Sequence, residues 1–330
     1  MKFRDSEKLR YQRIKPILFS EAAQIQGNYR KTPRSFCLAD EYASENLFTA
    51  IRKPAIQYFD QRNIPWHDGL NRSRLPSNHL CCSQSCCVNF LYPLVENRPL
   101  AEEIFRAFYP GLSELLPFDR DERLPNGAFP YIAFEWIGSL DFLGESKRKG
   151  NSRTRGANAT SADFAFRFRR QDGREQLVLG EWKYTEEYGG SDLGIEARKK
   201  NYDRAFNNGP FGEQGPSLYD SLFFEPFYQL MRLQLLAQEM ERGDLGHEMD
   251  CDVVTVLHIS PEANSEFRER VTSPHLKATY PSTGTLEIWK RLAPADKFLS
   301  ISVERLLETI GQSTTGDLAW TDYLTTRYSW

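Results

Sequence analysis

The sequence predicts an α/β fold with a mixed sheet. Three strand-like segments follow one another, FPYIAFEWIG, SADFAFRFRR and QLVLGEWKY. A strongly amphipathic helix, EPFYQLMRLQLLAQEMERG, comes next, and then a Val-rich strand, CDVVTVLHIS. Period-two alternation or a short apolar run marks each strand, whereas the helix repeats its apolar residues at helical spacing.

Residues 1–60 read as mostly helical, with an irregular stretch at KTPRSF. The segment QRNIPWHDGLNRSRLPSN is rich in Pro, Gly and Asn and reads as loop. Helices are expected from His79 to about Tyr92 and from Pro99 to Phe108, and PGLSELLPFDRDERLPNG reads as turns. QDGRE joins the second and third strands as a turn, and a Gly- and charge-rich connection runs from Glu186 to Tyr219. Pro226 in the first turn and Gly243 just past the end delimit the amphipathic helix. The tail is expected to hold a strand near TLEIWKRL and a helix near SVERLLETIG. An antiparallel three-strand meander, a crossover helix and a further strand make an α/β sandwich. The expected division is a helical extension over 1–78, a core over 79–262, and an elaboration over 263–330 packed on that core.

Composition excludes little. No run of about 18 apolar residues occurs, so no membrane span is expected. The charged start MKFRDSEKLRYQRIKP has no signal-peptide character, and a cytoplasmic location is the expectation. The net charge of -3 does not advertise a nucleic-acid binder, yet Lys147, Arg148, Lys149, Arg153 and Arg155 cluster just before Asp163. That run is either a solvated loop or a phosphate-tracking one. Four of the six cysteines, Cys81, Cys82, Cys86 and Cys87, fall in HLCCSQSCCVNF. Adjacent pairs do not match zinc-finger spacing, and small buried helix residues are the better reading. His79 and His258 stand alone and read as structural.

Glu181 and Lys183 are two apart on a strand and so share a face, while Trp182 points to the other. Such a charged pair in an apolar strand is costly to bury unless it binds something. The neighbouring strand supplies Asp163, whose position depends on the turn. A two-residue loop, Asp172-Gly173, would set Asp163 opposite Trp182, on the wrong face. A three-residue loop, Gln171-Asp172-Gly173, with Gly173 in the left-handed region, sets Asp163 opposite Glu181 and is the expected form. Two adjacent carboxylates repel unless a cation neutralises them, and an all-oxygen set suits Mg²⁺ or Mn²⁺. Asp163 and Glu181 are the expected metal ligands, joined by the backbone carbonyl of Trp182. The metal would polarise a phosphate and a water, with Lys183 positioning or deprotonating that water or stabilising charge on the phosphorane. Glu135, inside AFEWI, either completes the metal site or faces solvent at a sheet edge.

Asp163, Glu181-Trp182-Lys183 on the next strand, and the helix and strand that follow resemble the PD-(D/E)xK nuclease superfamily, whose fold type II restriction endonucleases share. HLCCSQSCCVNFLYPL, the AFEW strand, TSADFAFRF, LVLGEWKYTE and EPFYQLMRLQLLA look more narrowly like a bacterial family of restriction-endonuclease-like proteins, over about residues 79 to 260. The first motif is Ala162-Asp163 rather than Pro-Asp. The resemblance implies a three-layer αβββαβ core with helical N- and C-terminal elaborations. It also implies an Mg²⁺-dependent endonuclease, a hydrolase acting on DNA in restriction, phage defence or repair. Expected partners are nucleic acid and a second copy or larger defence complex.

Gln229 and Arg232, three apart on the helix after the motif, are implied to lie near the site; the alternative is a solvated stripe. Thr185 and Glu186 would support the ligands, Ser83 and Gln84 would touch substrate, and Arg153 and Arg155 would meet phosphates. Tyr188, Tyr202, Phe206 and Phe211 either stack on bases or pack the connection onto the core. Competing readings are a nuclease acting on RNA or on a DNA end, a catalytically silent nucleic-acid-binding or assembly module of the same fold, and a metal-free structural ion cluster. No GxxxxGK[ST] signature is present, so nucleotide-driven translocation would need a partner.

Overall fold

The computed structural model describes residues 1–67, 74–146, 153–154, 158–209, 211 and 215–330. The chain begins with helix α1 (Phe3–Leu18), a hairpin of β1 (Gly27–Tyr29) and β2 (Thr32–Arg34), and helix α2 (Arg52–Gln61). Helices α3 (Ser83–Leu91) and α4 (Arg98–Arg106) lead into β3 (Leu112–Leu116), β4 (Ile132–Trp136), β5 (Ala162–Arg170) and β6 (Glu175–Trp182). Then come α5 (Glu196–Asn207), α6 (Pro216–Ser221), α7 (Phe227–Arg242) and β7 (Val253–Ser260). The C-terminal part holds α8 (Ser265–Arg268), α9 (Pro274–Thr279), α10 (Thr285–Leu292), β8 (Phe298–Ser302), α11 (Val303–Gly311) and α12 (Leu318–Tyr328).

Six strands form one mixed sheet. The meander β4-β5-β6 is antiparallel, and β7 and β8 extend it in parallel beyond β6. β3 also pairs with β5, but at its other end: β3 takes Arg167–Arg170 and β4 takes Ala162–Phe166. The edge beside β5 is therefore split between two short strands.

Side-chain alternation divides the core in two. Phe134, Phe164, Phe166, Val178, Trp182 and Ile259 face one way, toward a core that includes Val88 and Phe90 of α3 and Phe105 of α4. Ala165, Leu177, Leu179, Val254 and Val256 face the other way, toward Leu230, Met231 and Leu235 of α7. Gly180 is required where it stands. A Cβ there would lie 2.3 Å from the Phe164 ring, so Gly180→Ala would force the aromatic layer apart. Both ends of the chain join the first core: Phe3, Tyr11, Trp320 and Tyr328 pack in it beside Phe164. Arg327 of α12, buried, donates to the Asn46 carbonyl at 2.7 Å, and the Tyr11 and Tyr184 hydroxyls meet at 2.9 Å.

The sequence expectations need three corrections. TLEIWKRL is helix α10, not a strand: Thr285, Ile288, Trp289 and Leu292 are buried at i, i+3, i+4 and i+7, a helical stripe. The strand of the tail is β8, six residues further on. The turn-rich stretch before β4 contains β3, a strand short enough to be hidden by its flanking prolines. The supposed helical extension contains a β-hairpin, and KTPR forms most of its second strand. Pro226 and Gly243 do delimit α7, with Gly243 in the left-handed conformation that a helix C-terminus favours. Tyr202, Phe206 and Phe211 are buried and Tyr188 packs against the same core, so these aromatics are spent on packing. The six cysteines are free and buried.

Candidate active site

The QDGRE turn closes as a three-residue loop. The Arg170 N–H donates to the Arg174 carbonyl at 2.8 Å, and Gly173 has φ +87°. From there β5 and β6 pair in one unbroken register, Arg169 with Glu175 through Phe164 with Gly180. One step further sets Asp163 against Glu181, on the α7 side of the sheet. The parallel pairing with β7 sets His258 beside Glu181. On the other flank, Phe134 pairs with Phe164 and Trp136 with Ala162, so Glu135 comes abreast of Asp163.

Glu135 has φ +51°, a conformation rare for any residue other than glycine. Positive φ in a non-glycine strand residue is tolerated where the surroundings over-determine it, and such residues gather at functional sites. Here Gln84, in the first turn of α3, holds it by donating from Nε2 to Glu135 Oε1 at 2.8 Å. Beside Gln84, Ser83 Oγ donates to the Trp182 carbonyl at 3.0 Å. The Trp182 N–H donates to Asp163 Oδ2 at 2.7 Å. The start of α3 is thus sewn to the ends of β4, β5 and β6.

Lys183 Nζ lies 2.6 Å from Glu181 Oε1, with both side chains nearly buried. Burial, followed by repulsion from Glu181 and then Glu135, pushes the Asp163 carboxyl well above the usual carboxylate range; Lys183 and the Trp182 N–H oppose the rise. Burial disfavours the Lys183 ammonium, but Glu181, Tyr188, Asp163 and Glu186 outweigh it and raise its pKa. Asp163 and Glu181 therefore stand beside the Lys183 ammonium, with Glu135 close to Asp163. This set of oxygen donors fits a hard divalent cation. Asp163, Glu181, Glu135 and the Trp182 carbonyl could hold one. As the side chains stand, each is turned to a protein partner, and among the described residues no three His, Cys, Asp or Glu side chains are gathered closely enough to bind a metal ion.

A cleft of about 380 Å³ opens over Asp163, Lys183 and Glu135. Ser83, Gln84, Thr185 and Glu186 line it too, so the structure brings together most residues the sequence singled out. Thr185 Oγ1 donates to the Cys81 carbonyl at 3.3 Å and Glu186 Oε2 accepts from the Tyr184 N–H at 2.6 Å.

Other residues are spent elsewhere. Gln229 reaches the site at second hand, donating to the Tyr188 hydroxyl at 3.1 Å. Arg232, one turn on, belongs to a separate buried cluster with Glu145 and Thr160. Arg153 donates to the carbonyls of Ile137, Gly138, Ser139 and Leu140, which clamps that turn. Arg155 and Lys147–Lys149 lie outside the described residues.

The sequence did not single out Glu225, although its carboxyl is pushed up by burial and feels both Lys183 and Glu181. His258 stands at the same place in the sheet as Glu181. It is fully buried beside Glu181, bonds Ser300 through Nδ1 at 3.1 Å, and leaves Nε2 unpartnered. Burial, with Arg268 and Lys183 nearby, holds it neutral. Neither residue stands at a motif spacing, so only the fold brings them in. Among the described residues no helix is long and apolar enough to cross a membrane.

No curated protein and no solved structure matches the chain. One family model does, over residues 15–329, and so takes in the terminal parts that the motif resemblance left out. With nearly the whole chain matched, and a sheet compatible with a restriction-endonuclease-like core, the protein belongs to the family described as restriction endonuclease associating with ARP.

Proposed function

We propose that the chain is a divalent-cation-dependent nuclease that hydrolyses phosphodiester bonds, with DNA as its substrate, in restriction, phage defence or repair. One observation carries this reading: Asp163, Glu181 and Lys183 meet at one end of the sheet, where Asp163 and Lys183 line a cleft. Buried titratable groups with strongly shifted pKa values, gathered at a cleft, mark a candidate functional site.

Asp163 and Glu181 would hold Mg²⁺ or Mn²⁺, with the Trp182 carbonyl and Glu135 as further oxygen ligands. When bound, the cation supplies charge against the developing negative phosphate and polarises the attacking water. Lys183, whose ammonium lies 2.6 Å from Glu181, would orient the water and face the phosphate oxygens. Ser83 and Gln84 keep the carbonyl of Trp182 and the carboxylate of Glu135 aimed at the cleft. Gln229, Thr185 and Glu186 brace the lysine end. The family description names ARP as an associate, and this reading extends that partner to the chain.

The test is plasmid cleavage in Mg²⁺ or Mn²⁺ beside Lys183→Ala. We expect cleavage by the wild type and a loss on the order of 10³-fold in the variant, as for removal of a group that stabilises transition-state charge. Equal rates for the two proteins, or no cleavage of DNA or RNA by the wild type, would sink the reading.

A further inference from the structure

The cleft has a second wall that the catalytic reading does not use. Tyr29 and His79 line it together with Asp163 and Lys183. Tyr29 ends strand β1, and the residues that follow, Arg30 and Lys31, form the tip of the β1–β2 hairpin, since Tyr29 pairs with Thr32. Both tip residues have positive φ, +50° and +64°. A two-residue turn of this kind is normally built from Asn and Gly, because other side chains are disfavoured there. Here two long cations occupy it instead.

Arg30, Lys31 and Arg34 are all exposed, and none is in a salt bridge among the described residues. The hairpin itself is firmly held. A Cβ at Gly27 would lie 1.7 Å from the Leu38 carbonyl oxygen, so the base of β1 is pressed against the chain behind it. Asn78 Nδ2 donates to the carbonyls of Asn28 and Leu38 and to Asp40 Oδ1, all within 3.0 Å, and Asp40 also accepts the Asn28 N–H at 2.9 Å. A stiff two-stranded ribbon with exposed cations at its tip, Arg30 lying over the Tyr29 ring at 5.4 Å, next to a cleft that Tyr29 lines, suits a polyanion that reaches the cleft from that side. A two-stranded ribbon also fits a duplex groove.

We infer that the hairpin Gly27–Arg34 is a duplex-gripping arm: Arg30, Lys31 and Arg34 bind phosphates of a nucleic-acid duplex and set the path by which one strand enters the cleft at Tyr29. This rests on the nucleic-acid reading of the site. Pre-organisation is the physical gain, since a fixed arm loses little entropy on binding.

The experiment measures binding of a fluorescein-labelled DNA duplex by anisotropy, in Ca²⁺, over a range of salt. The full-length wild type is compared with Arg30→Glu/Lys31→Glu/Arg34→Glu. A charge-matched control, Lys290→Glu/Arg291→Glu/Arg305→Glu, alters exposed residues of α10 and α11. Three lost phosphate contacts should lower the slope of log affinity against log salt by about 2.7 and weaken binding on the order of 10²-fold at low salt. The control should leave the slope unchanged. An unchanged slope in the hairpin variant, equal losses in the control, or no duplex binding by the wild type would each overturn the assignment. Cleavage with Mg²⁺, scored in parallel, separates the two ideas. A hairpin-dependent slope without cleavage upholds the arm and removes the catalytic reading, whereas cleavage with an unchanged slope does the reverse.

Discussion

Two buried ionic clusters touch the same end of β5, and they are built differently. In the first, Glu145 accepts from the Thr160 hydroxyl at 2.9 Å, from the Tyr202 hydroxyl at 2.6 Å and from Arg232 at 3.2 Å, while Arg232 also donates to Thr160 at 3.1 Å. One carboxylate meets one guanidinium and two hydroxyls, and the set closes on itself. In the second, three residues further along the chain, Glu181 pairs with the Lys183 ammonium, while Asp163 is repelled by Glu181 and Glu135. Burial costs both clusters alike, but only the first recovers that cost from its own members. A closed cluster is architecture. An open one is stable only in so far as the rest of the fold holds it.

Removing a partner from the closed cluster should have the largest effect. Arg232→Met leaves Glu145 buried without its charge partner and should destabilise the protein by about 3–5 kcal/mol. Urea or guanidinium unfolding measures this directly, and a midpoint within error of wild type would mean that the cluster is not closed as described.

Adding charge to the open cluster should stabilise it. Mn²⁺ at a hundred times its dissociation constant should raise wild-type stability by about 2.7 kcal/mol, read as a higher Tm, with no such rise in Asp163→Asn. An equal Tm rise in both proteins would place the cation elsewhere.

The smallest effect has the most diagnostic sign. The native pKa of Asp163 is raised, the reverse of the usual carboxylate case, so the native state holds its proton more tightly than the unfolded chain, where the value is about 3.8. This group's contribution to stability is present below that pH and is lost as pH rises through the native pKa. In EDTA, Asp163→Asn should therefore match the wild type near pH 4 and exceed it at neutral pH by on the order of 1 kcal/mol. Asn keeps an oxygen to accept the Trp182 N–H. A neutral-pH Tm below wild type would show that the open cluster is compensated after all.

Much of the candidate site was legible in the chain because it lies on adjacent strands. Glu181 and Lys183 share a face through period two alone, and the Gln171-Asp172-Gly173 loop sets the β5–β6 register, so three residues of turn locate Asp163 ten residues away. The α7 boundaries were legible through Pro226 and Gly243. Segments whose local signals conflict were not. TLEIWKRL has strand-like residue types on a helical stripe, and β3 is five residues between prolines.

By itself, then, the sequence determined the meander, the crossover helix, the shared face of Glu181 and Lys183, and the turn that brings Asp163 to them. These are local properties, set by side-chain period, turn chemistry and helix caps over short spans of chain. Only the tertiary structure decided that Arg232 is drawn to Glu145 rather than to the candidate site, that Arg153 clamps a turn, and that Glu225 and His258 stand close to Glu181. It also decided that the hairpin tipped by Arg30 and Lys31 borders the same cleft as Asp163, more than a hundred residues away in sequence. Those pairings depend on which surfaces bury against which, and on where each buried charge finds its partner. No short stretch of chain encodes either.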